Sequence, residues 1–279
     1  LADDEFVRNF AAMVKERIDP ARKVYIEYSN EVWNGQFKQS KFAQEQGLAR
    51  GLAKGGRRYR AGRRFTALRS IEIFKIWEQV FGGAKQLVRV LPSHSGNKRT
   101  SEDILSFRDA ATHADVLAVA PYMPFTVGRG RLADLAERLR DMTVDQLLDH
   151  FEETAFLESL KRMDSDAAIA NKYGIGLIAY EGGQHMVAFS SDRKLAADVT
   201  ANMQAANRHP RMGDMYRRYF DHWAAVGGGT FAVFSSIKRW NKSGSWGLAE
   251  FYDSLPSEYP KYEAVLDWAK NNGQPVSKE

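Results

Sequence analysis

The sequence predicts an α/β fold with a parallel sheet, because short apolar segments alternate along the chain with longer amphipathic ones. Val24, Ile26 and Tyr28 alternate with Tyr25 and Glu27, and this period of two, rich in β-branched and aromatic residues, is typical of a strand. Strands that alternate with helices favour parallel pairing through right-handed crossovers. Five segments fit a strand: residues 24–29, 86–91, 115–120, 175–181 and 230–235.

The intervening segments predict helices with recognisable starts. A first helix places Phe6, Phe10 and Met13 on one face, and Asp3 or Asp4 can cap its beginning. Two later starts have the spacing of a capping box: Thr100 with Asp103, and Thr143 with Gln146. Further helical segments are 36–81, 101–113, 130–173, 191–208, 211–225 and 257–271.

Length and composition are those of a soluble globular protein. The chain has 279 residues, of which 44% are hydrophobic and 27% charged, and we expect one α/β domain over residues 1–279. No apolar run approaches the length of a membrane span. The chain begins without a basic and apolar leader, so we expect that any export signal has been removed or was never present. The absence of cysteine excludes disulfides and thiolate metal sites.

Two of the predicted strands deliver a glutamate to their carboxyl ends. The first strand continues into Asn30 and Glu31, and the fourth ends in Glu181, followed by two glycines that allow a sharp turn. Parallel strands place their carboxyl ends at one edge of the sheet, where ligands bind. We therefore expect the two glutamates to meet, although they are far apart in the chain. A pair of carboxyl groups at one site is the arrangement that cleaves glycosidic bonds.

The residues around both glutamates resemble those of a known family. Tyr-Ser-Asn-Glu-Val-Trp-Asn at 28–34 and Ala-Tyr-Glu-Gly-Gly at 179–183 are similar to the acid/base and nucleophile strands of the clan A (β/α)8-barrel glycoside hydrolases, in particular the cellulase-like family 5 and its relatives. The resemblance covers roughly residues 20–250, with diagnostic residues at the strand ends. It implies a TIM-barrel type fold and a retaining β-glycosidase that hydrolyses β-linked glycans such as β-1,4-glucan, with no cofactor and no metal.

The resemblance also implies roles for individual residues. Glu31 matches the acid/base and Glu181 the nucleophile, with their carboxyl groups expected about 5–5.5 Å apart. Asn30 matches the asparagine that binds the sugar 2-hydroxyl, and Tyr122 resembles the tyrosine that hydrogen-bonds the nucleophile. Trp240 or Trp246 is expected to stack on a sugar ring. The complete set of substrate-binding candidates is Asn30, Trp33, His94, Tyr122, His185, Trp240 and Trp246.

Some of these candidates have a second interpretation that the sequence leaves open. His94 and His185 either line the cleft or are structural histidines. Trp33 is either a wall of the cleft or an anchor of its loop. Tyr122 is either a partner of Glu181 or a rim aromatic.

Five strands are fewer than a barrel of this type needs. In the resemblance they correspond to strands 4 to 8, so the fold is expected to be a TIM-barrel type truncated to its C-terminal five β/α units. Such an arc exposes two long edges. We therefore expect copies to associate and complete the barrel; a missing N-terminal part and an open sheet are the alternatives. The arginine and histidine that the clan carries on strands 2 and 3 would be absent from the chain. We expect a secreted or periplasmic location.

A run of seven basic residues suggests a different function. A polyanion-binding surface is one interpretation, and a solvated helix face is the other. A catalytically weak carbohydrate-binding relative is a further alternative. No nucleophile elbow, Walker loop, dinucleotide fingerprint or HExxH pair occurs. We therefore expect an oligo- or polysaccharide partner, and neither nucleic acid nor membrane. The basic residues are Arg50, Lys54, Arg57, Arg58, Arg60, Arg63 and Arg64.

Overall fold

A computed structural model describes residues 2–128 and 134–276, and the chain forms two compact units. Unit 1 consists of Leu1–Ala120 and Ser165–Tyr180, and unit 2 consists of Pro121–Asp164 and Glu181–Glu279. Each unit is therefore assembled from segments that are distant in the sequence. The expectation of one domain over residues 1–279 stays a prediction.

Strands and helices alternate through the described residues, which confirms the α/β class. The strands are β1 (Val24–Glu27), β2 (Leu87–Pro92), β3 (Val116–Val119), β4 (Met123–Val127), β5 (Gly176–Ala179), β6 (Gln184–Ala188) and β7 (Gly228–Phe231). The helices are α1 (Asp4–Arg17), α2 (Lys38–Ala49), α3 (Arg58–Phe81), α4 (Lys98–Leu105), α5 (Leu135–Asp141), α6 (Val144–Phe151), α7 (Leu157–Lys172), α8 (Arg193–Arg208), α9 (Pro210–Ala225) and α10 (Pro260–Asn271).

Unit 1 contains a parallel sheet in which β1, β2, β3 and β5 follow one another. Four of the five predicted strands and their parallel pairing are thereby confirmed. In β1 the alternation of the sequence is reproduced, since Val24 and Ile26 are buried and Tyr25 is exposed. In β3 three successive residues are fully buried, as expected for a strand covered on both faces. The (β/α)8 type and its truncation to five units stay predictions.

The first helix begins as predicted but buries a different face. Asp3 accepts a hydrogen bond from the amide of Phe6 at 2.8 Å, which confirms the cap. The residues buried in α1 are Val7 and Ala11, whereas Phe6 is 61% exposed. Because α1 packs on α3, the small side chains occupy the close approach, and Phe10 meets Trp77 only edge-on at its margin.

The capping box predicted at Thr100 and Asp103 is wrong, because α4 begins earlier. Asn97 caps this helix, accepting a hydrogen bond from the amide of Thr100 at 3.1 Å. The carboxylate of Asp103 instead pairs with Arg60 and Arg63 of α3. A local pattern is here overruled by ion pairs with a distant helix.

The predicted helix over 130–173 is three helices, α5, α6 and α7. The capping box of Thr143 and Gln146 at the start of α6 is confirmed. A π-helical turn, Glu152–Phe156, joins α6 to α7. The part of the prediction on residues 130–133 lies outside the described residues. None of the described helices combines the length and the apolar character needed to cross a membrane.

Unit 2 contains a second parallel pair, β4 with β6, which the sequence did not predict. Its register runs from Met123 opposite Gln184 to Val127 opposite Ala188. Pro124 within β4 cannot donate to a ladder, and this residue conceals the strand in the sequence. The core of this unit includes the fully buried side chains Phe125, Phe151, Phe156, Tyr216, Tyr219 and Trp223.

Candidate active site

Glu181 lies in a segment where regular strand structure is interrupted. Residues 180–183 separate β5 from β6, whereas only residues 120–122 separate β3 from β4. The segment 180–183 therefore contains one residue more than the segment 120–122. Because β3 pairs with β5 and β4 pairs with β6 in parallel, this additional residue has to depart from the regular ladder. Such irregular backbone is a common way of aiming a side chain, and here the segment carries Glu181.

The glycine that follows at 183 is required by both its backbone and its neighbours. Gly183 has φ +129°, a conformation that side chains of L-amino acids rarely adopt. A Cβ atom there would lie 2.8 Å from the hydroxyl of Tyr216. That hydroxyl accepts a hydrogen bond from the amide of Gln184 at 3.0 Å, so the tyrosine cannot withdraw without losing a buried contact. The backbone after Glu181 is therefore closely fixed.

Tyr122 is the hydrogen-bond partner of Glu181 that the resemblance implied. Its hydroxyl donates to Oε2 of Glu181 at 2.6 Å, within the range for hydroxyl donors to ionised carboxylates. Both side chains are half-buried. This bond fixes the orientation of the carboxylate.

Aromatic side chains surround this pair. The ring of His185 lies edge-on to Tyr122 at 5.5 Å and to Trp246 at 4.8 Å between centroids. Phe234 completes the group, 5.7 Å from Trp246. Burial lowers the pKa of His185, so this imidazole is neutral at neutral pH. The tyrosine that donates to Glu181 is thus packed among aromatic rings.

A buried polar network holds the loop that carries Trp246. The carbonyl oxygen of Ser245 accepts hydrogen bonds from Nε2 of Gln184 at 2.7 Å and from Nζ of Lys261 at 2.6 Å. Trp246 itself donates from Nε1 to the carbonyl oxygen of Ser243 at 2.8 Å. The loop that carries Trp246 is therefore tied, through one carbonyl group, to the strand that carries His185 and to helix α10.

Trp240, the other predicted stacking residue, is placed differently. It is only 4% exposed, and its ring packs edge-on against Tyr259 in a small core with Ala249. Its Nε1 donates to the carbonyl oxygen of Gly247 at 2.9 Å. This burial leaves no open face for a sugar ring, so Trp246 alone keeps the stacking role as a prediction.

In unit 1, Glu31 follows β1 after a sharp change of backbone direction. Ser29 has φ +49°, a left-handed conformation that costs a non-glycine residue about 1–2 kcal/mol. Asn30 and Glu31, both half-buried, come directly after it. Oε2 of Glu31 accepts a hydrogen bond from Nδ2 of Asn34 at 3.0 Å. The strained turn and this amide together orient the carboxyl group.

Trp33 and His94 are brought together in the same unit. Their rings stack with centroids 3.9 Å apart and planes inclined by 5°. Nε1 of Trp33 donates to the hydroxyl of Tyr180 at 3.3 Å, and this hydroxyl donates to the carbonyl oxygen of Ser93 at 3.3 Å. Tyr180 immediately precedes Glu181 in the chain. The stack therefore links the segments after β1, β2 and β5.

The segment after β2 is anchored beneath His94 by a buried acid. Asp166 is fully buried and accepts hydrogen bonds from Oγ of Ser95 at 2.7 Å and from the amide of Gly96 at 3.0 Å. Hydrogen bonds to a buried carboxylate stabilise it in place of water. The loop that presents His94 is therefore held through one side chain and one backbone amide.

A pocket in unit 1 opens beside the Trp33–His94 stack. Its cavity volume is about 80 Å³, and it is lined by hydroxyl, amide and guanidinium groups as well as by rings. Donors and acceptors beside an aromatic face are what a sugar ring requires. The polar and aromatic residues of this site pocket are Trp33, Ser40, Gln44, Tyr59, Arg63, Thr66, His94, Asn97 and Thr100.

The predicted residues thus form two groups, one in each unit. Glu31, Asn30, Trp33 and His94 belong to unit 1, and the remaining candidates belong to unit 2. Sequence reasoning missed Asn34, Tyr180, Phe234 and Gln184. Asn34 and Tyr180 stand inside the two motifs, where their types and positions could have identified them. Phe234 and Gln184 carry no such signal.

Within the described residues, no group of three or more histidine, aspartate or glutamate side chains could hold a metal ion. Together the observations define a mixed α/β protein with parallel strands, whose strand-end segments carry two glutamates among tyrosine, histidine and tryptophan side chains.

No protein-family model matches the chain, and no curated protein matches it in sequence. Among solved structures, a GH51 arabinofuranosidase from Xanthomonas axonopodis pv. citri is similar with a TM-score of 0.47 and 11% sequence identity. The match covers 94% of this chain and 48% of that one, so the chain spans about half the length of its structural neighbour.

Proposed function

We propose that this chain is a retaining β-glycosidase of the clan A type, with Glu181 as the nucleophile and Glu31 as the acid/base. The observation that carries the proposal is the 2.6 Å hydrogen bond from Tyr122 to Glu181, set among His185, Phe234 and Trp246. A nucleophile has to be oriented, and a hydroxyl donor on one of its oxygens meets this need. The strand-end motifs 28–34 and 179–183 support the same assignment.

The reaction would proceed in two displacements. Glu181 attacks the anomeric carbon while Glu31 protonates the departing glycosidic oxygen, which gives a covalent glycosyl-enzyme. Glu31 then removes a proton from water, and the water attacks the anomeric carbon and releases Glu181. This course requires the two carboxyl groups to lie about 5–5.5 Å apart.

The other candidates would bind the sugar around this centre. Trp246 offers a half-buried ring for stacking, and the neutral imidazole of His185 beside it can donate or accept one hydrogen bond. Asn30 would bind the 2-hydroxyl of the ring undergoing cleavage, as the resemblance implies. Trp33 and His94 would form the wall of a neighbouring subsite, next to the polar pocket that they line.

The proposal is tested by hydrolysis of a panel of 4-nitrophenyl β-glycosides. We expect release of 4-nitrophenol from at least one of them, and a loss of about 10³-fold or more in Glu31→Gln and in Glu181→Gln. Glu102→Gln is the matched control, because Glu102 also accepts a 2.6 Å hydrogen bond from a tyrosine, Tyr173, but lies outside the candidate site. If none of the glycosides in the panel is hydrolysed, or if activity survives both substitutions, the assignment is refuted.

A further inference from the structure

Some residues of the basic run 50–64 have ion-pair or hydrogen-bond partners within the described part of the chain, and others have none there. Arg50 pairs with Glu72, and Arg64 donates to the carbonyl oxygen of Leu52 at 2.8 Å. Each of these guanidinium groups also lies about 5.0 Å from the centre of a phenylalanine ring. Arg50 and Arg64 thus have structural roles, and the run is not one uniform charged face.

The remaining arginines of the run converge on a second pocket in unit 1, together with an arginine from another helix. This arginine pocket is an open depression with a volume of about 310 Å³. Arg99 of α4 contributes to it although it is far from the run in sequence. A solvated helix face would not recruit a residue from a second helix, so the convergence is a feature of the fold. The arginine pocket consists of Arg57, Arg58, Tyr59, Arg60, Arg63 and Arg99.

The positive charge of this pocket is only partly neutralised. Asp103 binds Arg60 at 3.0 Å and Arg63 at 2.8 Å. Across residues 2–128 and 134–276, no carboxylate lies within ion-pair distance of Arg57, Arg58 or Arg99, and all three side chains are exposed. Like charges held close together repel, and an anion that binds between them removes this cost. Guanidinium groups are planar forks that match carboxylate and sulfate oxygens in pairs.

The arginine pocket adjoins the pocket beside the Trp33–His94 stack. Tyr59 and Arg63 line both of them. A glycan that occupies the pocket beside Trp33 therefore meets the guanidinium group of Arg63. Asp103 fixes Arg63 at the shared wall through a side chain that is only 10% exposed.

We propose that the glycan this chain takes is anionic, a polysaccharide with uronate carboxylates or sulfate groups, and that the arginine pocket binds those groups. The proposal rests on the proposed function, which it deepens by naming the substrate class, and it replaces neutral β-1,4-glucan as the expected substrate. Nucleic acid fits the geometry less well. Tracking a phosphate backbone requires a basic stripe with stacked aromatic rings, whereas here the charge converges on one pocket next to a second, polar one.

The test is a binding comparison between two hexasaccharides that share ring and linkage. Cellohexaose is neutral, and its β-1,4-glucuronate counterpart carries a carboxylate on every ring. Isothermal titration with the full chain bearing Glu181→Gln, which prevents turnover, should give about tenfold tighter binding of the glucuronate at low salt. About 0.5 M NaCl should remove most of this preference.

A triple variant and a charge-matched control locate the effect. Arg57→Ala/Arg58→Ala/Arg99→Ala should lower the preference to about one while cellohexaose binding is retained. Arg17→Ala/Arg22→Ala/Lys75→Ala removes the same charge from exposed side chains of unit 1 outside both pockets and should leave the preference unchanged. Equal loss in both triple variants, or equal affinity for both sugars in the parent protein, would overturn the proposal.

Two further outcomes distinguish this proposal from a general polyanion surface and from the proposed function. A single-stranded oligonucleotide that binds as tightly as the glucuronate, and whose binding survives Trp33→Ala, would mean a general polyanion surface and would overturn it. Hydrolysis of aryl β-glycosides is measured independently. Glycosidase activity without preference for the acidic hexasaccharide refutes this inference alone, whereas preferential binding without hydrolysis refutes the proposed function alone.

Discussion

Two tyrosine–glutamate hydrogen bonds in this chain have the same length and different surroundings. Tyr122 donates to Glu181, and Tyr173 donates to Glu102, each at 2.6 Å. Glu102 also pairs with Lys172, which together with Tyr173 lowers the pKa of that carboxyl group. Tyr122, the partner of Glu181, instead packs edge-on against His185 and Trp246. In the proposed function this carboxylate is the one that reacts with the sugar.

Removing the Tyr122 hydroxyl should therefore lower the reaction rate with little effect on the fold. We expect Tyr122→Phe to reduce kcat about 10- to 100-fold, since hydrogen bonds to charged groups contribute about 1.5–3 kcal/mol. Tyr173→Phe removes an equally short bond elsewhere and should leave kcat unchanged. The steady-state kcat of each variant is measured with the aryl glycoside that the parent protein hydrolyses fastest. Equal effects of both substitutions would contradict the orienting role of Tyr122.

Lys261 is a second residue with unusual surroundings. It is fully buried, and burial lowers its pKa well below the ordinary 10.5. A neutral amine has two N–H groups, and Nζ has two acceptors, Oδ1 of Asn207 at 2.9 Å and the carbonyl oxygen of Ser245 at 2.6 Å. The hydrogen bonds of this site are thus satisfied without a charge.

The lowered pKa of Lys261 makes stability depend on pH. Between that lowered pKa and the ordinary 10.5, the unfolded chain binds a proton on Lys261 that the folded chain does not. Folding therefore releases a proton, and stability rises with pH by up to about 1.4 kcal/mol per unit until the ordinary pKa is reached. Lys261→Met should flatten this dependence in the pH range just below 10.5 in urea unfolding. The exposed Lys75→Met should keep the slope, and a parallel slope in Lys261→Met would show that the lysine is charged when folded.

At the scale of elements, a comparison of Gly174 with Gly183 distinguishes the effect of backbone strain from the effect of close packing. Both have positive φ, +69° and +129°, but a Cβ atom on Gly174 would meet nothing within 4 Å. On Gly183 it would lie 2.8 Å from the Tyr216 hydroxyl. The segment between β5 and β6 therefore has no room for a side chain at Gly183.

We expect Gly183→Ala to destabilise the protein by at least about 2 kcal/mol and to lower activity, because the segment that carries Glu181 has to shift. Gly174→Ala should cost about 1 kcal/mol and leave activity unchanged. Chemical denaturation and aryl glycoside hydrolysis give both numbers. Equal stability and activity in the two variants would show that the backbone after Glu181 is not closely fixed.

The elements that the sequence predicted are those with a strong period or a local cap. β1 shows an uninterrupted alternation, and the capping box at Thr143 depends on residues three apart. The pair β4 and β6 escaped prediction because Pro124 and Gln184 interrupt their apolar pattern. β7 begins earlier than expected, at Gly228, a residue with low strand propensity that is needed because the ring of Trp223 lies against it. Tertiary packing decided these cases.

At the scale of the whole molecule, the strand-end motifs predicted which residues belong to the candidate site more successfully than they predicted the contacts of those residues. The partnership of Tyr122 with Glu181 followed from the resemblance, and the structure shows that hydrogen bond. The stack of Trp33 on His94 and the burial of Trp240 were not predictable, because they depend on loops that no local pattern describes. The arginine pocket shows the same limit, since Arg99 joins it from a different helix.

The central claim is that Glu181 becomes covalently bonded to the sugar during turnover. The most direct measurement is mass spectrometry of the protein after incubation with the 2-deoxy-2-fluoro derivative of whichever aryl β-glycoside it hydrolyses. The account predicts one added fluoroglycosyl group per chain, located on the peptide that contains Glu181 and absent in Glu181→Gln. A label on another residue, or rapid hydrolysis of the parent glycoside with no covalent adduct, would contradict it.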